Sequence, residues 1–486
     1  MKPSRVQISS PGKPKVHESR EGIVEGAQGG KMTAQSTLPV AFEELGSHTK
    51  PANHVRAEGL ELVEDPVAGM VNGEWGFKGA KTNQLTHGIH PYPARLVPQV
   101  AAKLILNYKG KNALVWDPFC GSGTVLLEAT VQGLPSMGTE LSPLACLIAR
   151  AKTVPVAPST IAKWWDFLLP RVVSNEAQRD RKRFQTDLKG FTLDVNHWFK
   201  DAAIRDLGFI RSRIDDARDA GAPMEIIDLF NVAFSYAIRK ASYQRPNVWK
   251  RYRLPEKDRE EQRPDGLGVF VKRLEAIRKM VVSFASKYAD SPRPDVVCTD
   301  CSTFTPSRPP TLIVTSPPYG DSTTTVAYGQ FASLTMEWIH DTSYNWRDID
   351  QKCVGGAQNG SKGISHSGTL ERVCAEIKKI DVCRADVARS FFDDMQACMV
   401  NFYKVVAPGG HVCLVIGDRT VRQVTVPNAQ ILLEDAEGIG FEHVETLARR
   451  IFFKVRPYRL NPVARSGVDM SVPGIGRENM VVLKRP

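Results

Sequence analysis

The chain has 486 residues, of which 42% are hydrophobic and 24% are charged. This length favours a catalytic core with one large insertion, or two domains. No apolar run approaches the roughly 18 residues that cross a bilayer, and no apolar stretch follows the basic N-terminus. We therefore expect a cytoplasmic protein without membrane contact, and its net charge of +11 is typical of proteins that bind a polyanion.

Residues 1–45 are rich in Gly, Ser, Pro, Lys and Glu, so they are predicted to form a flexible tail. The first part of a catalytic domain is placed at 46–154. A mainly helical insertion is predicted at 155–290, because its apolar residues recur at helical spacing and no comparable strand pattern is found there. The second part of the catalytic domain is placed at 291–486.

Helical spacing in THGIHPYPARLVPQVAAKLILNY predicts a helix before the first strand, NALVWD. That strand runs into PFCGSGTVLLEATVQG, a glycine-rich turn that feeds a helix, and the next strand is SMGTE. Strand, helix and strand in this order predict an α/β fold with a largely parallel sheet. Later strands are predicted at 295–300, 311–316 and 411–418, an antiparallel end at 449–455 and 479–485, and a long loop at 341–362.

The turn DPFCGSGT, residues 117–124, carries glycines that let the backbone approach a ligand at the start of a helix. Glu140 ends the next strand 23 residues after Asp117, near the spacing of roughly 20 residues at which a carboxylate reaches a ribose. Asp300, at the end of a third strand, adds a carboxylate at the same sheet edge. These features indicate an adenosine-bearing cofactor; the alternatives are a structural turn, a helix cap or an Asx turn.

The segment TSPPYG, residues 315–320, follows an apolar strand, and its two prolines fix an extended turn at the carboxyl edge of the sheet. Together, DPFCGSGT and SPPY resemble the signatures of the site-specific DNA amino-methyltransferases, in which [DNS]PP[YFW] follows the fourth strand. The SPPY form resembles the cytosine-N(4) branch found in restriction-modification systems. The resemblance begins at about Thr86, and HPYPARLVP is similar to the family's segment beside the cofactor.

This resemblance implies a Rossmann-like S-adenosylmethionine-dependent methyltransferase fold, with target recognition inserted between the two motifs. It implies S-adenosylmethionine as the cofactor. The residues that would bind it are His90, Tyr92, Asp117, Pro118, Phe119, Gly121, Gly123, Thr124, Glu140 and Asp300.

The exocyclic amine of a base is a poor nucleophile, because its lone pair is delocalised into the ring, so acceptors must hold its protons. By resemblance, the Ser316 hydroxyl and the Pro317 carbonyl are those acceptors, and Tyr319 stacks on a base flipped out of the duplex. The implied catalytic set is Ser316, Pro317, Pro318 and Tyr319.

Ser316 indicates which base is methylated, cytosine at N(4) or adenine at N(6), since adenine-N(6) enzymes of the family usually carry Asp or Asn at this position. Cytosine N(4) is therefore favoured. Adenine N(6), an amino group of an RNA base, and a DNA-binding protein on an inactive methyltransferase scaffold stay open as alternatives. The resemblance also leaves open whether a companion restriction endonuclease acts on the same site.

Residues 239–253, RKASYQRPNVWKRYR, combine cations and aromatic side chains with no acid. Cations neutralise phosphates, and aromatic rings stack on bases. The residues predicted to contact double-stranded DNA are Arg239, Lys240, Arg245, Trp249, Lys250, Arg251 and Arg253. A structural basic loop is the alternative, and a second basic cluster at 449–459 is evenly balanced between the two interpretations.

Cys298 and Cys301 form a CxxC pair, but two further ligands at matching spacing are missing. They are predicted to be structural thiols, and no metal site is expected.

Overall fold

The computed structural model describes most of the chain from residue 75 onward. The described residues are 75–246, 248–321, 326–339, 345–356, 363–451 and 476–486. They belong to one compact unit that spans residues 64–486. The tail predicted at 1–45 lies outside the described residues, so it stays a prediction.

Seven strands of the described residues form one sheet, and two more form a separate hairpin. The strands are β1 (Val115–Asp117), β2 (Ser136–Glu140), β3 (Asp295–Cys298), β4 (Leu312–Thr315), β5 (His411–Ile416), β6 (Arg419–Val421), β7 (Val424–Val426), β8 (Glu442–Arg450) and β9 (Arg477–Lys484). The order in the sheet is β3-β2-β1-β4-β5-β9-β8. Strands β1 to β5 pair in parallel, whereas β9 is antiparallel to β5 and β8. The predicted Rossmann-like α/β fold is therefore confirmed.

Helices connect the strands, and those between α3 and β3 pack mainly on one another. They are α1 (Pro98–Tyr108), α2 (Thr124–Val131), α3 (Pro143–Thr153), α4 (Pro158–Val173), α5 (Asn175–Arg183), α6 (Val195–Trp198), α7 (Asp201–Asp219), α8 (Met224–Ala241), α9 (Glu256–Glu261), α10 (Gly266–Tyr288), α11 (Tyr328–Ile339), α12 (Trp346–Lys352), α13 (Gly368–Ile380), α14 (Val382–Val405) and α15 (Asn428–Ile439). Within the described ranges, none of them combines the length and apolar character needed to cross a membrane.

Neighbouring residues of β1 face opposite sides of the sheet and lie in different hydrophobic clusters. Val115 packs in a cluster with Leu104 of α1. Trp116 packs in another with Phe402 of α14. Because apolar side chains cover both faces, this strand is a continuous apolar run and not an alternating one.

The segment between α3 and β3 forms helices α4 to α10, as its periodicity predicts. Helices α8 and α10 share a hydrophobic cluster in which Phe230 and Phe270 are fully buried. In the described part of this segment, the one β-type pairing is an isolated bridge between Gln244 and Arg253. The cluster also includes Phe331 of α11, so these helices are continuous with the part of the chain that follows β4.

The structure differs from the predicted loop at 341–362 and from the predicted start of the antiparallel end at 449. The antiparallel pairing itself is confirmed, and residues 452–455 of that prediction lie outside the described residues. Helix α12 lies inside the segment 341–362, which is predicted as a loop. Its start is capped by Asn345, whose side-chain oxygen accepts a hydrogen bond from the amide of Arg347 at 3.1 Å. Ile349 is the one buried residue of this helix, so no apolar residues recur at helical spacing to indicate it. Strand β8 begins at Glu442, ahead of the predicted 449, because its first residues are exposed at the sheet edge and no apolar run marks them.

Candidate active site

A pocket at the carboxyl ends of β1 to β4 gathers residues from both predicted halves of the site. It encloses about 870 Å³, including open solvent. The pocket lies in the crevice in which open α/β sheets bind ligands. The predicted residues that line it are Tyr92, Asp117, Pro118, Phe119, Gly121, Thr124, Glu140, Asp300, Ser316 and Pro318. His90, Gly123, Pro317 and Tyr319 are not part of this lining.

Asp117 connects the two halves of the pocket. Its Oδ1 accepts hydrogen bonds from the Thr315 hydroxyl at 2.6 Å and from the Phe119 amide at 3.2 Å. Thr315 directly precedes the SPPY segment, so the adjacent strands β1 and β4 are tied together beside the pocket. Burial raises the pKa of Asp117 to about 7, although these two hydrogen bonds lower it.

Two glycines allow the turn after β1 to lead directly into α2. Gly121 and Gly123 have φ angles of 48° and 75°, in the left-handed region that favours glycine. A Cβ atom at Gly123 would lie 2.9 Å from the Cβ of Ala149 in α3. Close packing therefore keeps the turn in place, and Thr124 at the start of α2 lines the pocket.

Gly138 in β2 supports the same turn from below. A Cβ atom there would lie 2.7 Å from the Cβ of Cys120 and 2.9 Å from Cδ1 of Leu126. We expect Gly138→Ala to lower the free energy of unfolding by about 1–3 kcal/mol, because the turn or α2 must move. Gly438→Ala in α15 is the control, since nothing lies within 4 Å of its added Cβ. Denaturant unfolding of both variants tests this; equal stabilities would contradict it.

Glu140 ends β2 and is held by two backbone amides. Its Oε2 accepts a hydrogen bond from the Gly121 amide at 3.0 Å, and its Oε1 accepts one from the Ser142 amide at 2.8 Å. Burial raises its pKa, whereas the two amides lower it. Because each carboxylate oxygen can accept a second hydrogen bond, Glu140 retains acceptors for the hydroxyl groups of a ligand.

Asp300 follows β3 and lines the same pocket. Its Oδ1 accepts a hydrogen bond from the Ser302 amide at 2.8 Å, which forms an Asx turn. Among the described residues, no donor contacts its Oδ2. Asp300 therefore combines the turn-forming role with an acceptor that a ligand can use.

His90 and Tyr92 occupy different layers of the site. The Nδ1 of His90 donates to the Pro91 carbonyl at 2.7 Å, and its Nε2 pairs with the Ser235 hydroxyl at 3.1 Å. Burial lowers the pKa of His90 to about 3, so the ring is neutral. Tyr92 lines the pocket and stacks on Tyr328, with ring centroids 6.0 Å apart. His90 thus links this segment to α8, whereas Tyr92 is available to a ligand.

The SPPY segment is anchored on two sides. The Ser316 hydroxyl donates to the hydroxyl of Tyr319 at 3.3 Å. The side-chain amide of Asn428 donates to the carbonyls of Tyr319 at 3.1 Å and Gly417 at 2.8 Å, which ties the segment to the end of β5. The Tyr319 ring is partly buried and packs against the cluster that contains Phe391.

Sequence reasoning missed one wall of the pocket. Tyr328 at the start of α11 and residues 352–354 at the end of α12 line it. Asp350 joins the two helices, because its Oδ1 accepts a hydrogen bond from the Gly329 amide at 2.8 Å. Tyr328 is an aromatic residue close after SPPY, which is a usable signal. Residues 352–354 carry none, since they lie in a polar stretch without periodicity.

The basic segment 239–253 comprises the end of α8 and the loop that follows it, and several of its cations contact other residues of the protein. Arg239 donates to the Val248 carbonyl at 2.5 Å and lies 4.7 Å from the ring centroid of Phe331. Arg251 lies 4.3 Å from the ring centroid of Trp346. Burial lowers the pKa of Arg239 to about 10. These contacts fix the loop to α11 and α12.

The same loop presents a tryptophan to solvent. Trp249 is 38% exposed. Its ring packs on Phe331 with centroids 5.6 Å apart, and Phe331 packs on Tyr92 at 5.4 Å. Trp249 is therefore two ring contacts away from the pocket lining. The remaining predicted DNA contacts, none of them buried, are Lys240, Arg245, Lys250 and Arg253.

The CxxC cysteines contact different partners. The thiol of Cys298 lies 3.7 Å from the Leu141 carbonyl, and the Sγ of Cys301 lies 3.7 Å from the Sγ of Cys398. Within the described ranges, no group of three His, Cys, Asp or Glu side chains is placed to hold a metal ion.

Known proteins with similar sequences belong to the family that the two motifs resemble. The N6/N4 methyltransferase family, described as DNA methylase, matches residues 46–151. The chain is 28% identical over 413 residues to the Type II methyltransferase M.MvaI of Kocuria varians, a match that covers 81% of this chain and 90% of the relative. These matches support membership of the DNA amino-methyltransferase family. A DNA amino-methyltransferase uses S-adenosylmethionine, so the matches support this cofactor as well.

Two further matches are shorter or more distant. The Type II methyltransferase M.MjaII of Methanocaldococcus jannaschii is 39% identical over 66 residues, covering 14% of this chain and 12% of the relative. The solved structure of the rRNA methyltransferase aviRa from Streptomyces viridochromogenes has 9% identity and a TM-score of 0.27, and the match covers 82% of this chain and 88% of that chain.

The pocket fits an adenosine-bearing cofactor. Glu140 and Asp300 supply carboxylate acceptors for hydroxyl and amino groups. Phe119 and Tyr92 add apolar surface to the lining. Acceptors for the polar edges and rings for the flat faces are the groups that an adenosine requires.

Proposed function

We propose that the protein is a site-specific DNA methyltransferase that modifies the exocyclic N(4) of cytosine in double-stranded DNA, after the base has been flipped out of the helix. The supporting observation is the position of Ser316 in the wall of the pocket that also contains Glu140 and Asp300. Ser316 stands where adenine enzymes of the family usually carry Asp or Asn, which favours cytosine.

The chemistry rests on holding the protons of the target amine. Ser316 donates its own proton to Tyr319, so its lone pairs stay available to accept an N–H of the amine. The carbonyl of Pro317 accepts the other N–H, and the amine nitrogen then keeps its lone pair for in-line attack. The ring of Tyr319 stacks on the base and fixes its plane. When bound, S-adenosylmethionine would supply the methyl group: the bond from its sulfur to the methyl carbon breaks as the N–C bond forms, S-adenosylhomocysteine is left, and the amine loses one proton.

The cofactor half of the proposal assigns roles to residues of the strand ends. Glu140 accepts hydrogen bonds from the ribose hydroxyls, and Asp300 accepts one from the adenine amino group. Asp117 holds Thr315 and thereby the start of the SPPY segment. The glycine turn provides close backbone approach at the start of α2.

Target recognition is assigned to the helical segment 155–290, with the basic loop 239–253 against the DNA backbone. A site-specific enzyme of this kind acts in the cytoplasm and protects DNA from a companion restriction endonuclease at the same site. The relatives' description as Type II methyltransferases supports this role.

We expect Trp249→Ala to weaken binding of the target duplex about fivefold or more, because stacking on a base is worth about 1–3 kcal/mol. Cofactor affinity should stay within about twofold. Fluorescence titration of labelled duplex measures the change. Leu106→Ala on α1 is the control, since this side chain is also exposed, at 60%, and lies on another element. Equal DNA affinities for both variants would contradict the proposed contact.

The decisive test of the function is direct. The protein is incubated with unmethylated DNA and S-adenosylmethionine, the DNA is digested to nucleosides, and the products are identified by mass spectrometry. N(4)-methylcytosine is the expected product. N(6)-methyladenine as the sole product would contradict the base assignment, and a product on RNA but not on DNA would contradict the substrate.

A further inference from the structure

A buried ion pair lies in the antiparallel part of the sheet. Arg449 of β8 and Glu478 of β9 are opposite each other in the strand register. The Nε of Arg449 donates to Oε2 of Glu478 at 2.7 Å. The two residues are only 5% and 9% exposed. Their charges are therefore largely removed from water.

Strand pairing alone does not account for this pair. Removing two charges from water is costly, and apolar residues in their place are often equally stabilising. The same two strands carry a second cross-strand pair, Glu442 and Lys484, which is exposed and whose charged atoms are 3.9 Å apart. A buried pair at one position and an exposed pair at another suggest different roles.

The buried pair contacts the SPPY segment through Tyr319. The hydroxyl of Tyr319 is hydrogen-bonded to Glu478, and burial together with this neighbouring carboxylate raises its pKa well above the usual value. A carboxylate paired with Arg449 can only accept, so Tyr319 donates its proton to Glu478. The oxygen of Tyr319 is then the acceptor for the Ser316 hydroxyl at 3.3 Å.

We propose that Glu478 and Arg449 are positioning residues that orient the hydroxyl of Ser316 for the target amine. Arg449 holds the Glu478 side chain in place, and Glu478 fixes the direction of the Tyr319 hydroxyl. The Tyr319 oxygen in turn accepts the hydrogen bond of the Ser316 hydroxyl, so that the Ser316 proton points away from the pocket. The lone pairs of Ser316 are left to accept an N–H of the base, which rests on the role of Ser316 in the proposed function.

Two nearly isosteric variants test this relay. Tyr319→Phe removes one hydroxyl and keeps the ring. Glu478→Gln removes the charge that fixes the direction of the Tyr319 hydroxyl. We expect each to lower kcat for DNA methylation about tenfold, the effect of losing a hydrogen bond to a charged group. KM for DNA and for S-adenosylmethionine should stay within about twofold, because the relay acts on the reacting amine.

The double variant separates positioning from simple stabilisation. If the residues act in one relay, adding Glu478→Gln to Tyr319→Phe should lower kcat little further, whereas independent effects would multiply. Glu442→Gln, in the exposed cross-strand pair, is the matched control and should leave kcat unchanged. Thermal unfolding midpoints measured on every variant show any purely structural loss.

Full kcat in Tyr319→Phe would overturn the relay, even if Glu478→Gln failed to fold. Multiplicative losses in the double variant would overturn it as well. A wild-type protein that methylates no DNA would contradict the proposed function instead. In that case the Tyr319–Glu478 contact is still tested by the unfolding midpoints of the wild type, the two single variants and the double variant. The contact predicts that the two single changes in midpoint do not add in the double variant.

Discussion

Replacing Tyr319 with alanine is expected to reduce kcat about 100-fold or more while cofactor affinity stays within about twofold. The ring provides stacking worth about 1–3 kcal/mol, and its hydroxyl accepts the Ser316 proton. Loss of both leaves the target base without a fixed plane, and misplacement of a reacting group by about 1 Å can cost about 10²-fold. Single-turnover methylation assays, combined with titration of cofactor binding, measure the two quantities separately.

Tyr403→Ala is the matched control for this change. Tyr403 is also partly buried against the cluster that contains Phe391, and it packs on Phe441 with ring centroids 5.0 Å apart. Unlike Tyr319, it lies near the end of α14 and not in the SPPY segment. The control should lose stability but retain turnover. An equal loss of kcat in both variants would mean that Tyr319 acts through core packing and not through the base.

Replacing Glu140 with glutamine is expected to weaken S-adenosylmethionine binding about 10- to 100-fold. Hydrogen bonds to a charged group contribute about 1.5–3 kcal/mol, and the amide has one acceptor where the carboxylate has two. One of the backbone amides of Gly121 and Ser142 would also lose its acceptor. Isothermal titration with S-adenosylhomocysteine measures the change, and DNA affinity without cofactor should be unaltered.

Glu128→Gln on α2 provides the comparison. Glu128 is also a buried carboxyl group, with a pKa raised by burial to about 7, and it lies 2.7 Å from Nε2 of His87. It does not line the pocket. Its replacement should change cofactor affinity by no more than about twofold. If both variants weakened binding equally, the ribose contact assigned to Glu140 would be wrong.

The strand ends of the site could be predicted from sequence because of how parallel sheets are built. Carboxyl ends of parallel strands meet at one edge, so Asp117, Glu140 and Ser316, each at or directly after the end of a predicted strand, are expected to converge. The pocket lining contains all three. The glycine turn is equally legible, since its positive φ angles require residues without a Cβ.

Burial of charged residues could not be predicted in the same way. A run of cations without acids indicates a partner for phosphate, but Arg239 and Arg251 reach aromatic rings on α11 and α12. Those rings are distant in sequence from the two arginines, so no local sequence pattern predicts the contacts. The contact of Glu478 with Tyr319 depends likewise on the antiparallel return of β9 beside β5. Pairing across the sheet, and not composition, decides which charges reach solvent.

The hydrogen bond between Asp117 and Thr315 has a thermodynamic consequence. It spans the boundary between the strand that carries the cofactor turn and the strand that carries the target segment, at 2.6 Å. If the cofactor strains this bond on binding, the strain would change the site for DNA, and the reverse holds as well. Such an energetic coupling is reciprocal: the factor by which a bound cofactor changes the affinity for DNA equals the factor by which DNA changes the affinity for the cofactor.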